Sequence, residues 1–506
     1  MVLAKLGPLF RAPTERQKRL TYAFVAALVA TIAIVHEAVQ GKPVFPVDDA
    51  YITLHNAEVL DSGTDPNYHV PGLVGATSCA HVLLVALVAK VLPALWALEA
   101  VTWVAILAYA ISLAYMGFLV GGSVAVAVGT TVLGLTVGQM PHQLLNGLET
   151  GFTLAIMTWA VALALRDDTA QRSVHVLPVL CGLLPFARPE LVAFSGLLLA
   201  SRWYRARGGG GRDLRALVVR DVALAALAAL PFVIAYWKST GSFSPNTIAA
   251  KKFFFADGCA PSADKLKSVA SLVLELAQTL GIFSLSIVAL GRSRVERVAL
   301  AFVLVFLFAY YLEFPGALSH YEQRYMYVFV PLLLLATARA AASDHTTWAR
   351  FGSFVLVAGV LETVEHFHER WLFHQATRGF TSTELAGVAE YVQNNTSPDA
   401  VILIHDAGYM STATSRRLVD LVGLKTPLNA KYHRDITWTT CGRARGDAVA
   451  AIARAAHPGF LVVLDGWDDF FGISEALRAH GWTTQSLRPS AARYRVYRLS
   501  EPPEAR

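Results

Sequence analysis

The sequence predicts a polytopic α-helical membrane protein that ends in a small α/β domain. Of its 506 residues, 55% are hydrophobic and only 16% charged, too few charges to solvate a soluble globule of that length. Apolar runs that can cross about 30 Å of hydrocarbon at 1.5 Å per residue recur between short basic clusters. After Thr363 the hydropathy falls to that of an ordinary soluble chain.

The first run, Tyr22 to Gln40, follows a basic leader (1–20) with Lys5, Arg11, Arg16, Lys18 and Arg19, which places the N-terminus in the cytoplasm. No A-x-A-like cleavage site follows, so the run reads as an uncleaved first helix. Further runs at 95–120, 123–137, 151–165, 174–187, 191–200, 221–237, 268–290, 298–314, 325–342 and 351–363 bring the spans to about eleven. The run 79–92 is short and stops at Pro93. Counting it as a span would export the basic segments 166–172, 202–220 and 292–297. Laying it on the membrane surface keeps all three inside, as the positive-inside rule requires. The balance of 43 Lys+Arg against 37 Asp+Glu is therefore a topology signal, and nucleic acid is not an expected partner. Several runs are shorter than a straight span needs, which suggests broken helices around a cavity.

With this topology, five polar clusters fall on the outer side: Asp48/Asp49, His142–Thr150, Ala187–Glu190, Ser244–Lys252 and Ser319–Tyr327. Ionisable groups at membrane depth are costly, so their convergence on one face predicts a polar pocket. The membrane domain spans 21–364, with its active-site loop at 41–79. From 365 to 506, helical signals at Thr383–Asn394, Asp447–Ala456 and Ile473–Ala479 alternate with strand-like Ala400–Ile404 and Phe460–Leu464. That alternation predicts the α/β domain, and an odd number of spans puts it outside. The glycine-rich Arg202–Arg215 lacks the Lys-Ser/Thr of a phosphate-binding loop and reads as a cytoplasmic linker. Four scattered cysteines form no metal or disulfide framework, although Cys259 and Cys441 are able to bridge if both lie outside.

An isolated acidic pair is as readily a solvated loop as a site, but Asp48 and Asp49 open DDAYITLHNA, whose apolar residues would seat a short helix over the cavity mouth. This stretch resembles the DDAYI-type first-loop motif of the GT-C superfamily of membrane glycosyltransferases, which use polyprenyl-phosphate sugars. NGLET, ARPE, SPNTIAAK, QRYMYVFVPLLLLL and HDAGYMSTATSRRLVDLVGL resemble further segments of that family in the same order. The most similar branch is that of the terminal arabinofuranosyltransferases of the actinobacterial cell envelope. The stretch Leu73–Leu84 departs from that branch's pattern.

The resemblance implies inverting sugar transfer from a polyprenyl-phosphate donor to an envelope glycan or glycolipid acceptor at the outer face of the plasma membrane. Such a reaction needs a base for the acceptor hydroxyl and cations for the departing phosphate. Asp48 is the expected base, with Asp49 orienting the acceptor or a cation, or the two in reverse order. Arg188, Lys251, Lys252 and Arg324 are the candidate phosphate ligands. The same motifs supply Tyr51, His55, Asn146, Glu149, Glu190, Asn246, His320 and Glu322 as candidates for holding the sugars. His142, His320 and His405 lack ligand spacing, so no metal site is expected; a divalent cation is compatible with the chemistry but not required by it. Two rivals are a secondary transporter, against which stands the lack of an inverted repeat, and a non-catalytic envelope scaffold.

Overall fold

The computed structural model describes residues 13–169, 175–208, 213–489 and 492–503. The start of the basic leader (1–12), residues 170–174, residues 209–212 of the glycine-rich segment, and residues 490–491 and 504–506 lie outside the described residues. The membrane half comprises α1 (Glu15–Gln40), α2 (Asp48–Val59), α3 (Cys79–Val88), α4 (Ala94–Gly121), α5 (Val124–Thr136), α6 (Met140–Leu145), α7 (Thr150–Thr169) and α8 (Val176–Ala187). It continues with α9 (Leu191–Gly208), α10 (Leu214–Thr240), α11 (Asn246–Phe255), α12 (Ser262–Leu280), α13 (Arg294–Glu313), α14 (Val330–Ala341) and α15 (Thr346–Phe380). Among the described residues, seven helical segments are long and apolar enough to cross a membrane: α1, α4, α10, 262–289, α13, 315–341 and 346–395. Ile34, Val104, Leu227, Phe308 and Leu361 stand exposed on them, the surface that a lipid-facing helix presents. The protein is a multi-pass helical membrane protein with a C-terminal sheet domain.

Two sequence expectations need correcting in detail. The expected spans at 123–137 and 174–187 are α5 and α8, of 13 and 12 residues, too short to cross by themselves. The run from Cys79 forms the ten-residue α3, which packs Val85 against Ala97 and Leu98 of α4 and leaves Leu87 exposed. The expected last span, 351–363, is the middle of the 35-residue α15, which crosses the expected boundary at 364/365 and runs through a π-helical turn at Thr381–Leu385 into α16 (Ala386–Asn395). Hydropathy marks where an apolar environment ends, and the helix continues beyond that point because its backbone hydrogen bonds are internal.

The C-terminal domain is a five-stranded sheet in the order β2-β1-β3-β5-β4. β1 (Val401–Ile404), β2 (Arg417–Asp420) and β3 (Phe460–Leu464) are parallel, whereas β5 (Tyr494–Ser500) runs antiparallel to β3 and to β4 (Thr483–Ser486). β1 and β3 are unbroken apolar runs because both of their faces are covered, which is why they were legible. β2, β4 and β5 carry charged or hydroxyl residues on part-exposed positions and give a weaker signal. Cys259 and Cys441 lie beside each other as free thiols.

The two halves share one core. Ile52, Tyr68, Ala250 and Phe254 of the membrane half pack with Ile402, Ile404 and Val462 of the sheet. Polar contacts fix the register of that docking. Asp48 accepts the backbone N–H of Gly408 on one carboxylate oxygen (2.8 Å) and that of Tyr409 on the other (2.7 Å). Lys425, fully buried, reaches Asp65 at 2.8 Å, and His55 contacts the same carboxylate at 3.0 Å. The Asn67 carbonyl accepts the N–H of Leu418, and Tyr68 donates its hydroxyl to the Ala407 carbonyl.

Gly408 sits against Asp48 so closely that a Cβ would collide with the Asp48 carbonyl oxygen. Gly408→Ala should therefore lower stability by about 1–3 kcal/mol through forced displacement of the α2 backbone. Thermal unfolding measures this, and faster hydrogen exchange at Tyr409 should accompany it; an unchanged melting temperature would show that the docking is loose. Topology is tested in a Cys259→Ser/Cys441→Ser background. Thr64→Cys, on the face that carries the sheet domain, should react with an impermeant thiol reagent on intact cells. Asp344→Cys, in the turn between α14 and α15 at the opposite end, should be protected. Labelling of both would overturn the expected orientation.

Candidate active site

Two carboxylates open α2 after Pro46, in the first turn, where the helix dipole and unpaired N–H groups favour negative charge. They face different ways. Asp48 is directed at the sheet domain, both of its oxygens taken by Gly408 and Tyr409. Burial and the neighbouring Asp406 push its carboxyl well above the usual range, against the pull of those N–H groups.

Asp49 faces the membrane half. Its Oδ2 lies 3.2 Å from Arg324 Nη2, 3.5 Å from Lys251 Nζ and 3.8 Å from His320 Nε2. Burial alone would raise its proton affinity, but Lys251, His320 and Arg324 outweigh it and hold the carboxyl well below the usual range. Lys251 is carried by the short α11, which starts directly after Pro245. Arg324 is presented by an unusual backbone: Tyr321, Glu322 and Gln323 all have positive φ (43°, 55° and 56°). Gln143 of α6 holds this run by donating to the carbonyls of Tyr321 (2.7 Å) and Glu322 (3.2 Å).

Arg324 also stacks over the Tyr325 ring at 4.9 Å, and Arg188 covers the same ring at 4.5 Å. Arg188 Nη2 reaches Glu190 at 2.7 Å, and its Nε lies 3.8 Å from Glu149. The five polar clusters of the sequence thus meet in one row of alternating charge, Glu190, Arg188, Glu149, Arg324, Asp49 and Lys251, buried at its centre and part-buried at its ends. Two nitrogens of Arg324, Nε and Nη1, are buried without a hydrogen-bond partner among the described residues.

Two cavities meet at Lys251. The first, about 440 Å³, is bounded by Ile248, Ala309, Tyr310, Phe314, Ala317 and Tyr325, with Lys251, Lys252 and Glu190 at its polar wall. The second, about 460 Å³, lies under the sheet domain and takes in Asp48, Asp49, His320, Glu322, His405, Asp406, Trp467 and Tyr494.

The remaining candidates have other partners. Lys252 pairs with Glu313 and covers the Trp438 ring at 4.9 Å, at the rim of the first cavity. Asn246 clasps two loops, accepting from Gly75 N–H (3.1 Å) and donating to the Leu424 carbonyl (2.7 Å). Asn146 caps its own turn through Leu148 N–H. Tyr51 is buried with its hydroxyl accepting from Phe45 N–H, and His55 belongs to the buried Asp65–Lys425 group. Among the described residues, the one group of His and carboxylate atoms close enough to share a cation is His36, Glu37 and Glu99, none of which belongs to the Asp49 cluster. Sequence reasoning did not single out Tyr325, Asp406 or Lys425. The first two stood inside quoted motifs, whereas nothing local distinguishes Lys425 from a surface lysine.

A family model described as a domain of unknown function (DUF8728) matches residues 373–498, the end of α15 and the sheet domain. No curated protein matches the chain. Among solved structures, the chain is similar to ArnT from Cupriavidus metallidurans in the apo state, with a TM-score of 0.56 and 14% identity over 93% of this chain and 97% of that one. The same protein bound to undecaprenyl phosphate gives a TM-score of 0.55 and 13% identity with the same coverage. The oligosaccharyltransferase of Archaeoglobus fulgidus in the apo form gives 0.56 and 12% identity, over 93% of this chain and 73% of that one. At such identities the likeness shows architecture alone: the chain has the fold shared by ArnT and the archaeal oligosaccharyltransferase.

Proposed function

We propose that the chain is an inverting glycosyltransferase that moves a sugar from a polyprenyl-phosphate donor to an envelope glycan or glycolipid at the outer face of the plasma membrane. The observation that carries this reading is Asp49 held between Lys251 and Arg324 where the two cavities meet. The apolar walls of the first cavity suit a prenyl chain. The unpartnered Arg324 nitrogens, with Lys251 beside them, suit its phosphate. The second cavity leaves room for the sugar and the incoming hydroxyl next to Asp49.

In the reaction the acceptor oxygen attacks the anomeric carbon, the bond to the phosphate oxygen breaks with its electron pair, and a carboxylate takes the acceptor proton. We assign the proton to Asp49, the reverse of the first-choice order, because both Asp48 oxygens are already engaged by the sheet domain. Asp49 Oδ1 has no such partner among the described residues. Its proton affinity is low while the Lys251 and Arg324 cations face it. A bound phosphate neutralises Lys251 and Arg324 and so raises that affinity when the base is needed. The donor set does not fit a divalent cation, since Asp49 and Glu149 are already matched by Lys251, Arg324 and Arg188. Motif resemblance makes arabinofuranose the first sugar to test.

Asp49→Asn should lower turnover by about 10²–10⁴-fold while leaving undecaprenyl phosphate binding within about threefold. Lys251→Ala should weaken lipid-phosphate binding and turnover together, because a phosphate ligand acts in the ground state and on the leaving group. The measurement uses purified protein with polyprenyl-phosphoryl arabinose, mannose and glucose. Full turnover by Asp49→Asn would remove it as base. Flux of substrate into vesicles without cleavage of any donor would favour a transporter instead.

A further inference from the structure

The helix that carries Lys251, α11, ends against the sheet domain. Phe254 packs in the shared core, and Arg445 of the sheet domain donates to the carbonyls of Phe254 and Phe255, each at 2.9 Å. The tight turn Asp257–Cys259 follows directly and presses on the π-helical segment His433–Trp438. A Cβ on Gly258 would stand 2.8 Å from the Glu313 carbonyl oxygen and 3.0 Å from the Trp438 ring, so only glycine allows this approach. Lys252 covers the same ring at 4.9 Å.

One oxygen at this junction gathers a cysteine from each half. The Trp438 carbonyl accepts the backbone N–H of Cys441 at 3.0 Å and the thiol of Cys259 at 3.4 Å. Cys441 is turned back toward the membrane half by a left-handed φ of 53°, uncommon for a residue with a side chain, and the Thr437 carbonyl holds the next N–H, that of Gly442, at 2.8 Å. The two thiols are in contact. Burial and the Cys441 thiol push Cys259 up to about 11, against the pull of Lys265 and Lys252. Sulfurs placed in this way need little backbone movement to bond. Cys79 and Cys181 are buried and offer neither of them a rival partner.

We propose that Cys259 and Cys441 form a disulfide that clamps α11, and with it Lys251, to the sheet domain. Cys441 is exposed and meets the oxidant first. Its thiolate attacks a protein disulfide of the cell exterior, which gives a mixed disulfide and releases one thiolate. The Cys259 thiolate then attacks the Cys441 sulfur and expels the second, so that each cysteine loses its proton and the oxidant ends as a dithiol. The rest of the junction is non-covalent, so the bridge fixes the helix whose lysine faces Asp49. Bridge formation rests on the outer-face placement above, where thiols meet oxidants, and its effect on Lys251 rests on the lipid-phosphate reading.

The test uses full-length protein from a bacterial host, purified in nanodiscs without reductant. Unfolded in N-ethylmaleimide, it should be alkylated at Cys79 and Cys181 alone, and at all four cysteines after reduction with a phosphine. Proteolysis of the unreduced protein should give one peptide pair linked through Cys259 and Cys441. Reduction of the folded protein should lower its melting temperature and raise the Kd for undecaprenyl phosphate by about 3- to 10-fold, because α11 is in place for a smaller fraction of the time. Cys259→Ser/Cys441→Ser should match the reduced protein and ignore the phosphine. Alkylation of Cys259 and Cys441 without reductant overturns the proposal; closure by added oxidised glutathione then lays the fault on the outer-face placement, and failure to close lays it on the pairing. A bridge whose reduction changes neither the Kd nor the melting temperature overturns the clamp. If the oxidised protein does not bind undecaprenyl phosphate, the lipid-phosphate reading fails, and the melting temperature alone decides the clamp.

Discussion

The docking of the sheet domain onto the start of α2 is the constraint on which the rest of the molecule depends. One carboxylate, Asp48, takes the N–H groups of Gly408 and Tyr409, and the close approach requires glycine at 408. Because Asp48 and Asp49 are adjacent in a helix, their side chains diverge by about 100°. Fixing one against the sheet therefore aims the other at the membrane half. The same contact makes the sheet domain a roof, so that the second cavity exists only as a space between two halves with a shared core.

Under that roof, burial makes charge expensive unless it is matched. Arg188 and Arg324 are almost wholly buried, as are Glu149 and Asp48. A buried ion pair gains little net stability over apolar side chains of similar volume, since desolvation offsets most of its Coulomb energy. A row of six alternating charges is therefore a poor way to stabilise a fold and a reasonable way to prepare a site for an anion. The left-handed run Tyr321–Gln323 points in the same direction. Three non-glycine residues at positive φ cost of order 1–3 kcal/mol each and persist only where the surroundings over-determine them. Here Gln143 holds two of their carbonyls, and the outcome is the placement of Arg324 and Tyr325 under Asp49 and Arg188. Polar residues that sequence motifs suggested for sugar contact, such as Asn146 and Asn246, serve this framework by capping turns and clasping loops.

What the sequence determined by itself was whatever depends on local composition and periodicity. The excess of apolar runs over charge sets a multi-pass helical protein; the unbroken VILI and FLVVL set two buried strands; the interrupting clusters around Asp49, Glu149, Arg188, Lys251 and Arg324 set which residues are costly to bury and so worth bringing together. Only the tertiary structure decided which of two adjacent aspartates meets Lys251 and Arg324 and which is taken by the sheet domain, because that depends on a contact 360 residues away in the chain. It also decided that α15 carries straight through the expected domain boundary, since helix continuity rests on internal hydrogen bonds that hydropathy does not report. Lys425 looked like any surface lysine, and Asp406 like part of a loop motif. The burial of Lys425 against Asp65 and the place of Asp406 just beyond the end of β1, in the cavity shared with α2, arise from how the two halves pack, and no window of sequence contains both partners of such a contact.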